Sequence, residues 1–247
     1  MKPHAFAFLL ALTYLSASGA ADWPQWRGPH RDGISGETGL LKEWPENGPP
    51  LKWRAAGLGG GFSSLAIVGD RIYTLGNRRG KDGGGTRLTE TGKRLWRTWT
   101  VPAPGEKGSE TWPNANKPEA WKYGGGATWQ YASFDPQLDL LYIGTGNAEP
   151  YNPSYREGQD SLYTASVLAL RPKTGELVWH YQYVPNDSYD YDSTAESILA
   201  DVRIDEQMRK VLINAHKNGF LYVIDRTNGK LLVANPFTKV TWASHID

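Results

Sequence analysis

Side chains able to do chemistry gather in the second half of this sequence. The run from Asp187 to Asp192 carries three carboxylates, and the Asp190-Tyr191-Asp192 spacing puts two of them on one side of an extended chain. Such a pair offers oxygen to a hard cation like Ca²⁺, which takes about six to eight oxygen ligands, and a trivalent ion favours still more negative charge. The same run also reads as a solvated acidic loop. Asn147, after Gly144-Thr145-Gly146, is either an amide oxygen donor or a turn cap. Lys217, before Asn218-Gly219, is either a cation that steadies developing negative charge or an ordinary turn lysine. Trp129 offers an indole face to a flat ring, or belongs to the core. His180 and His216 lack metal-ligand spacing and read as structural residues at strand edges.

These residues sit in a chain of 247 residues with a formal charge of +1 and no cysteine. The absence of cysteine excludes disulfides, thiolate metal sites and a cysteine nucleophile. A charge so near zero argues against a nucleic-acid-binding surface, which needs clustered Lys and Arg. The chain holds 28 glycines and 16 prolines, with 11 tryptophans and 13 tyrosines against 6 phenylalanines. That composition excludes coiled coils and general disorder and points to a turn-rich, all-β protein. Residues 1–20 read as a signal peptide, with Lys2 at the positive end, an apolar run from Ala5 to Leu15 and a small-residue cleavage site ending at Ala20. The apolar run falls well short of the ~20 residues a membrane span needs, and no later stretch reaches that length. Cleavage near Ala20 and export to the periplasm or beyond are expected.

Windows rich in Val, Ile, Tyr and Trp predict strands within Ser64–Leu75, Thr128–Phe134, Leu138–Ile143, Tyr163–Leu170, Leu177–Tyr183, Lys210–Ala215 and Phe220–Asp225. Turn signals stand at Gly69-Asp70, Asp135-Pro136, Thr174-Gly175 and Asn228-Gly229. Ser193–Val202 is expected to form a helical turn or two. Lys81–Gly85 and Pro102–Tyr123 show few β signals. One unit recurs: a strand, a polar turn with glycine, then a strand entering with tryptophan. Its copies span 90–99, 168–183 and 221–234, with a looser one at 46–54. Gly92, Gly175 and Gly229 hold equivalent turn places, and Trp96 and Trp179 follow four residues after theirs, where the third copy has Val233. Repeats of this kind predict β-propeller blades, each burying its faces only against its neighbours.

From about Gly92 to Asp247 the chain closely resembles the type I quinoprotein alcohol dehydrogenases, which use pyrroloquinoline quinone (PQQ). The strings that carry the resemblance are TGKRLWRTWTVPAPGEKGSETWP, WKYGGGATWQYASFDPQLDLLYIGTGNAEPYNP, YTASVLALRPKTGELVWHYQYVPNDSYDYDST and KVLINAHKNGFLYVIDRTNGKLLVANPFTKVTWA. Residues 22–76, by contrast, resemble the start of exported quinone-repeat propeller proteins. The resemblance implies an eight-bladed propeller with the quinone flat at its axis above a bound metal. It implies Trp129 as the floor under the quinone ring, Asn147 as a metal ligand and Asp190 as the base toward the alcohol hydroxyl. Asp192 matches the additional carboxylate of lanthanide-dependent members, which favours a lanthanide over Ca²⁺. Lys217 matches the basic residue beside the quinone carbonyls. An alcohol substrate and a c-type cytochrome electron acceptor are implied as partners, with no nucleic acid and no membrane span.

Two features of the family's pattern have no counterpart here. The family has a vicinal disulfide over the quinone and a glutamate metal ligand upstream of the TGKxLWRTW string. This chain has no cysteine, and DGGGTRLT at 82–89 stands where the glutamate segment is expected. The sequence therefore predicts an incomplete propeller of about three to four blades. Its expected organisation is a signal at 1–20, a repeat segment at 21–80, an irregular junction and loop at 81–123, and blades bearing the site motifs at 124–247. The expected function is a portion of an enzyme oxidising a primary alcohol to an aldehyde by hydride transfer to PQQ, impaired alone. The alternative is a non-catalytic exported repeat protein that binds or assembles envelope components. Open blade edges are expected to favour association with other chains.

Overall fold

Short apolar runs broken by turns fold into hairpins, and the hairpins join into three four-stranded antiparallel sheets. The structure, a computed structural model, describes residues 21–78, 81–89, 92–113 and 119–246. The expected export signal at 1–20 lies outside them. The first sheet comprises β1 (Ala66–Val68), β2 (Arg71–Arg78), β3 (Lys81–Thr89) and β4 (Arg94–Trp99). The second comprises β5 (Ala132–Asp135), β6 (Leu140–Gly144), β7 (Ser166–Leu170) and β8 (Leu177–Gln182). The third comprises β9 (Ile198–Ile204), β10 (Gln207–Ala215), β11 (Phe220–Asp225) and β12 (Leu231–Pro236). Every sheet keeps chain order from edge to edge, as propeller blades do. The described chain is all-β, three blades of an incomplete propeller.

Two expectations are corrected. Lys81–Gly85 is no irregular junction; it opens β3, which pairs with β2 and β4 through backbone bonds that glycine supplies as well as any residue. Ser193–Val202 is not helical, because from Ile198 it joins β9. A two-residue turn at Asp205-Glu206, with φ of 47° and 66°, closes the β9–β10 hairpin. That geometry usually calls for Asn-Gly or Asp-Gly, so its signal was hidden. The Pro102–Tyr123 loop is packed at its centre, where Trp112 is buried and donates its indole N–H to the Leu162 carbonyl.

The middle sheet shows why its strands read as continuous apolar runs. Leu140 and Tyr142 of β6, with Val167 and Ala169 of β7, face the third sheet. Their neighbours Leu141, Ile143, Leu168 and Leu170 face the first. A strand buried on both faces has no polar side to alternate with. Across the second boundary, Arg226 forms a buried ion pair with Asp135 (Nε–Oδ2 2.6 Å), and its carbonyl accepts from the Tyr142 hydroxyl at 2.9 Å.

The repeat turns meet the repeat tryptophans across these boundaries. A side chain added at Gly175 would lie 2.7 Å from the Trp96 ring, and one at Gly229 would lie 2.7 Å from the Trp179 ring. The looser first copy obeys the same rule, since Gly92 would meet the Trp53 ring at 2.7 Å. Each tryptophan thus lies on the glycine of the next unit. Trp96 also donates its indole N–H to the Pro172 carbonyl at 2.9 Å, and the Thr98 hydroxyl donates to the Gly175 carbonyl at 2.5 Å. Gly175 has φ +77°, a conformation that costs other residues about 1–2 kcal/mol.

His216, expected at a strand edge, lies just past β10 and is buried. Its ring stacks on Tyr183 with centroids 4.6 Å apart and meets the edge of Tyr222. Nδ1 accepts from the Asn218 backbone N–H at 3.2 Å, which leaves the ring proton on Nε2, 2.7 Å from Ser193 Oγ. Burial, aided by the nearby charge of Lys217, lowers its pKa from 6.5 to about 4.

Two outcomes are expected. Gly175→Ala combines left-handed strain with overpacking against Trp96 and should cost about 2–4 kcal/mol in urea unfolding. Gly39→Ala, also at positive φ but with nothing within 4 Å, should cost only the strain; equal losses would remove the packing role. For His216, the unfolded ring binds a proton that the folded ring refuses. This contribution is therefore full above about pH 6.5 and is lost toward pH 4, amounting to about 2 kcal/mol between pH 7 and 5. His216→Gln should lack that component, and an unchanged pH dependence of its stability would contradict the assignment.

Candidate functional site

The site residues are carried by three segments at the ends of strands. The first runs from Gly144 at the end of β6 to Asn147. The Gly146 N–H donates to the Ala127 carbonyl at 2.8 Å, and its carbonyl accepts from Ala165 N at 2.7 Å. A side chain here would lie 2.6 Å from the Trp129 ring and 3.0 Å from Asp192 Oδ1. The missing Cβ is thus what lets the indole and the carboxylate approach. Trp129 is half-buried, and its carbonyl accepts from the Phe62 N–H at 2.9 Å. Asn147 is buried; its backbone N–H donates to Asp192 Oδ1 at 3.1 Å and its side-chain amide donates to the Ala148 carbonyl at 3.0 Å.

The second segment is the acidic run, which is neither extended nor merely solvated. Asp187, only 1% exposed, folds it back by accepting the N–H groups of Tyr189 (2.8 Å) and Tyr191 (2.7 Å) on its two carboxylate oxygens. Arg156, itself fully buried, donates to the Asp187 carbonyl at 2.5 Å, to Asn186 Oδ1 at 3.2 Å and to the Pro150 carbonyl. Burial raises the Asp187 pKa against the pull of those two N–H donors. Within this turn stands Asp190, with φ of 61°, and just after it Asp192.

The third segment is the turn after β10. Lys217 Nζ lies 3.1 Å from Asp192 Oδ2 and 3.5 Å from Asp190 Oδ2. The Asp192 side chain is 16% exposed, while those of Asp190 and Lys217 are each 48% exposed. Burial raises the Asp192 pKa, and the Asn147 N–H and Lys217 only partly offset it. Burial alone would lower that of Lys217, but Asp192 and Asp190 together outweigh it and hold it raised.

Trp129, Asn147, Asp190, Asp192 and Lys217 therefore come together in one place. An ammonium group already sits between the two carboxylates, so their oxygens converge on a position suited to positive charge. Asn147, Asp190 and Asp192 are oxygen donors of the hard-cation kind, though fewer than the about six to eight oxygens such an ion takes. Among the described residues no three His, Cys, Asp or Glu side chains are grouped to hold a metal ion. Sequence reasoning missed Glu149, two residues after Asn147 and close to its side chain. Its pKa is raised by burial and by Asp190 and Asp192, against the opposing pull of Asn147 and Arg156. It also missed the Arg156–Asp187 support, whose only sequence signal was Asp187 opening the acidic run. His180, in β8, meets the edge of the Tyr163 ring, and burial lowers its pKa. No described helix is long and apolar enough to cross a membrane.

Comparisons with known proteins bear on the same region. The family model for the β-propeller domain of glucose/ethanol/alcohol dehydrogenases, named for PQQ, matches residues 67–241. The quinohemoprotein alcohol dehydrogenase ADH IIB of Pseudomonas putida is 49% identical over 170 residues, covering 64% of this chain and 24% of that protein. The crystal structure of the quinohemoprotein alcohol dehydrogenase from Comamonas testosteroni superposes with a TM-score of 0.69 at 40% identity, covering 75% of this chain and 30% of that one. A europium-containing methanol dehydrogenase gives 0.67 at 35% identity, covering 74% and 35%. The chain spans about a quarter to a third of the length of these relatives. With its blades, its repeat and this match over most of its length, the chain belongs to the PQQ-dependent alcohol dehydrogenase family of β-propeller quinoproteins.

Proposed function

We propose that this chain forms the metal- and quinone-binding portion of an alcohol dehydrogenase that oxidises a primary alcohol to an aldehyde. The observation that carries the reading is the convergence of Asp190 and Asp192 on one cationic position beside Asn147 and Trp129. When bound, PQQ supplies the hydride-accepting chemistry and a hard cation supplies Lewis acidity. Asn147, Asp190 and Asp192 would hold the cation, and the Trp129 indole would lie against the quinone ring. Asp190 is the more exposed carboxylate, which supports it as the base toward an alcohol hydroxyl. The more buried Asp192 supplies the extra negative charge that suits a lanthanide better than Ca²⁺. Lys217, displaced from between the carboxylates, would turn its ammonium toward quinone oxygens and steady negative charge there. A c-type cytochrome would take the electrons onward, in the periplasm. The three described blades cover part of such a site, so turnover by this chain alone is expected to be weak.

A second reading, a non-catalytic exported binding or envelope-assembly protein, is favoured by the exposed Ile34, Leu40, Leu41, Trp44 and Phe62 of the N-terminal segment. Titration with Tb³⁺, read by emission sensitised through the nearby aromatic side chains, separates the two. Saturable binding is expected, and Asp192→Ala should weaken it at least about tenfold while affecting Ca²⁺ competition less. Absence of saturable binding, or equal Tb³⁺ affinity in the variant, would defeat the dehydrogenase reading of this cluster.

A further inference from the structure

Each charged partner of the site has a buried neighbour in sequence, and the two neighbours touch. Ser193 follows Asp192 and His216 precedes Lys217; Ser193 Oγ and His216 Nε2 are 2.7 Å apart, with both residues buried. The ring cannot swing away, because Tyr183 stacks on one face, Tyr222 abuts it and the Asn218 N–H holds Nδ1. Ser193 is held from the other side, its backbone N–H donating to the Thr145 carbonyl at 3.0 Å, two residues before Asn147. Two hydrogen bonds through Ser193 therefore tie together the Asn147 segment, the acidic turn and the lysine turn.

We propose that Ser193 and His216 form a buried positioning pair that sets the separation between Asp192 and Lys217, and through it the geometry offered to a cation. The pair touches no ligand. His216 donates through Nε2, Ser193 accepts, and the bond fixes two backbone segments whose next side chains carry opposite charge. Without it, Asp192 keeps its tie to the Asn147 N–H, but the Lys217 turn is free to move against it. The part concerning the cation rests on the function proposed above; the part concerning the ion pair does not.

The test reads both. Competitive acetylation with acetic anhydride, followed by mass spectrometry, compares Lys217 with the exposed Lys230 in the full chain. Ion pairing should leave Lys217 the slower of the two, and Ser193→Ala should speed it by about threefold or more. Ser193→Thr retains the hydroxyl and should restore the slow rate. His216→Gln retains an N–H donor near the Nε2 position and should do likewise, whereas His216→Leu should match Ser193→Ala. Thermal unfolding identifies any variant that fails to fold, and the hydroxyl-retaining and donor-retaining variants then decide. A Lys217 rate unchanged in folded Ser193→Ala, or raised as much in Ser193→Thr, would overturn the inference. In parallel, Tb³⁺ affinity should fall in Ser193→Ala and recover in Ser193→Thr. A wild-type chain that binds no Tb³⁺ yet shows the acetylation pattern would overturn the metal reading and support the positioning pair.

Discussion

The contact on which this architecture depends is a tryptophan ring lying on a glycine of the neighbouring unit. A blade is hydrophobic on both faces and is stable only when stacked. What sets the stacking distance is that Gly92, Gly175 and Gly229 have no side chain beneath Trp53, Trp96 and Trp179. Glycine serves twice at each place, admitting the indole and adopting the positive φ of the turn. The contact repeats at each boundary and so propagates one geometry along the chain. The Arg226–Asp135 pair and the Tyr142 hydroxyl then add direction to a boundary that apolar packing alone would leave free to slide.

The site uses the stacking without being part of it. Its residues stand where strands end, on segments released from the sheet ladder but not from hydrogen bonding. Asp187 makes a turn out of two tyrosine N–H groups, and Arg156 braces that turn from below. Gly146 leaves the gap that Trp129 and Asp192 both approach. The electrostatics follow from unequal burial. Asp192 is withdrawn from water, which raises its pKa, while Asp190 and Lys217 remain half in solvent. A lysine between two carboxylates offsets one of their two charges, in the position that the proposed function gives to a cation.

Legibility differed from element to element for identifiable reasons. Strands β6, β7, β10 and β11 were readable because burial on one or both faces leaves a clear apolar record. β3 was not, because its run of three glycines carries no pattern and its place comes only from pairing with β2 and β4. β9 was hidden by a hairpin turn made from Asp205 and Glu206, residues that rarely adopt positive φ in succession. At the site, residue type pointed to Asp190, Asp192, Asn147, Trp129 and Lys217. Nothing about the type of Glu149, Arg156 or Ser193 distinguished it from a surface residue.

The sequence by itself determined the class of fold, the family and the chemical character of the site. Those depend on local pattern and on the identity of side chains: apolar runs, glycine turns, a repeated tryptophan, and oxygen donors beside an indole. Only the tertiary structure decided which carboxylate is buried, which cation faces it and what holds the two apart. Such distances are set by contacts between residues 23 to 91 positions apart, as Ser193 with His216, Asn147 with Asp192 and Asp135 with Arg226 are. No local preference of the chain encodes them, because each partner could satisfy its hydrogen bonds equally well with water until the blades stack.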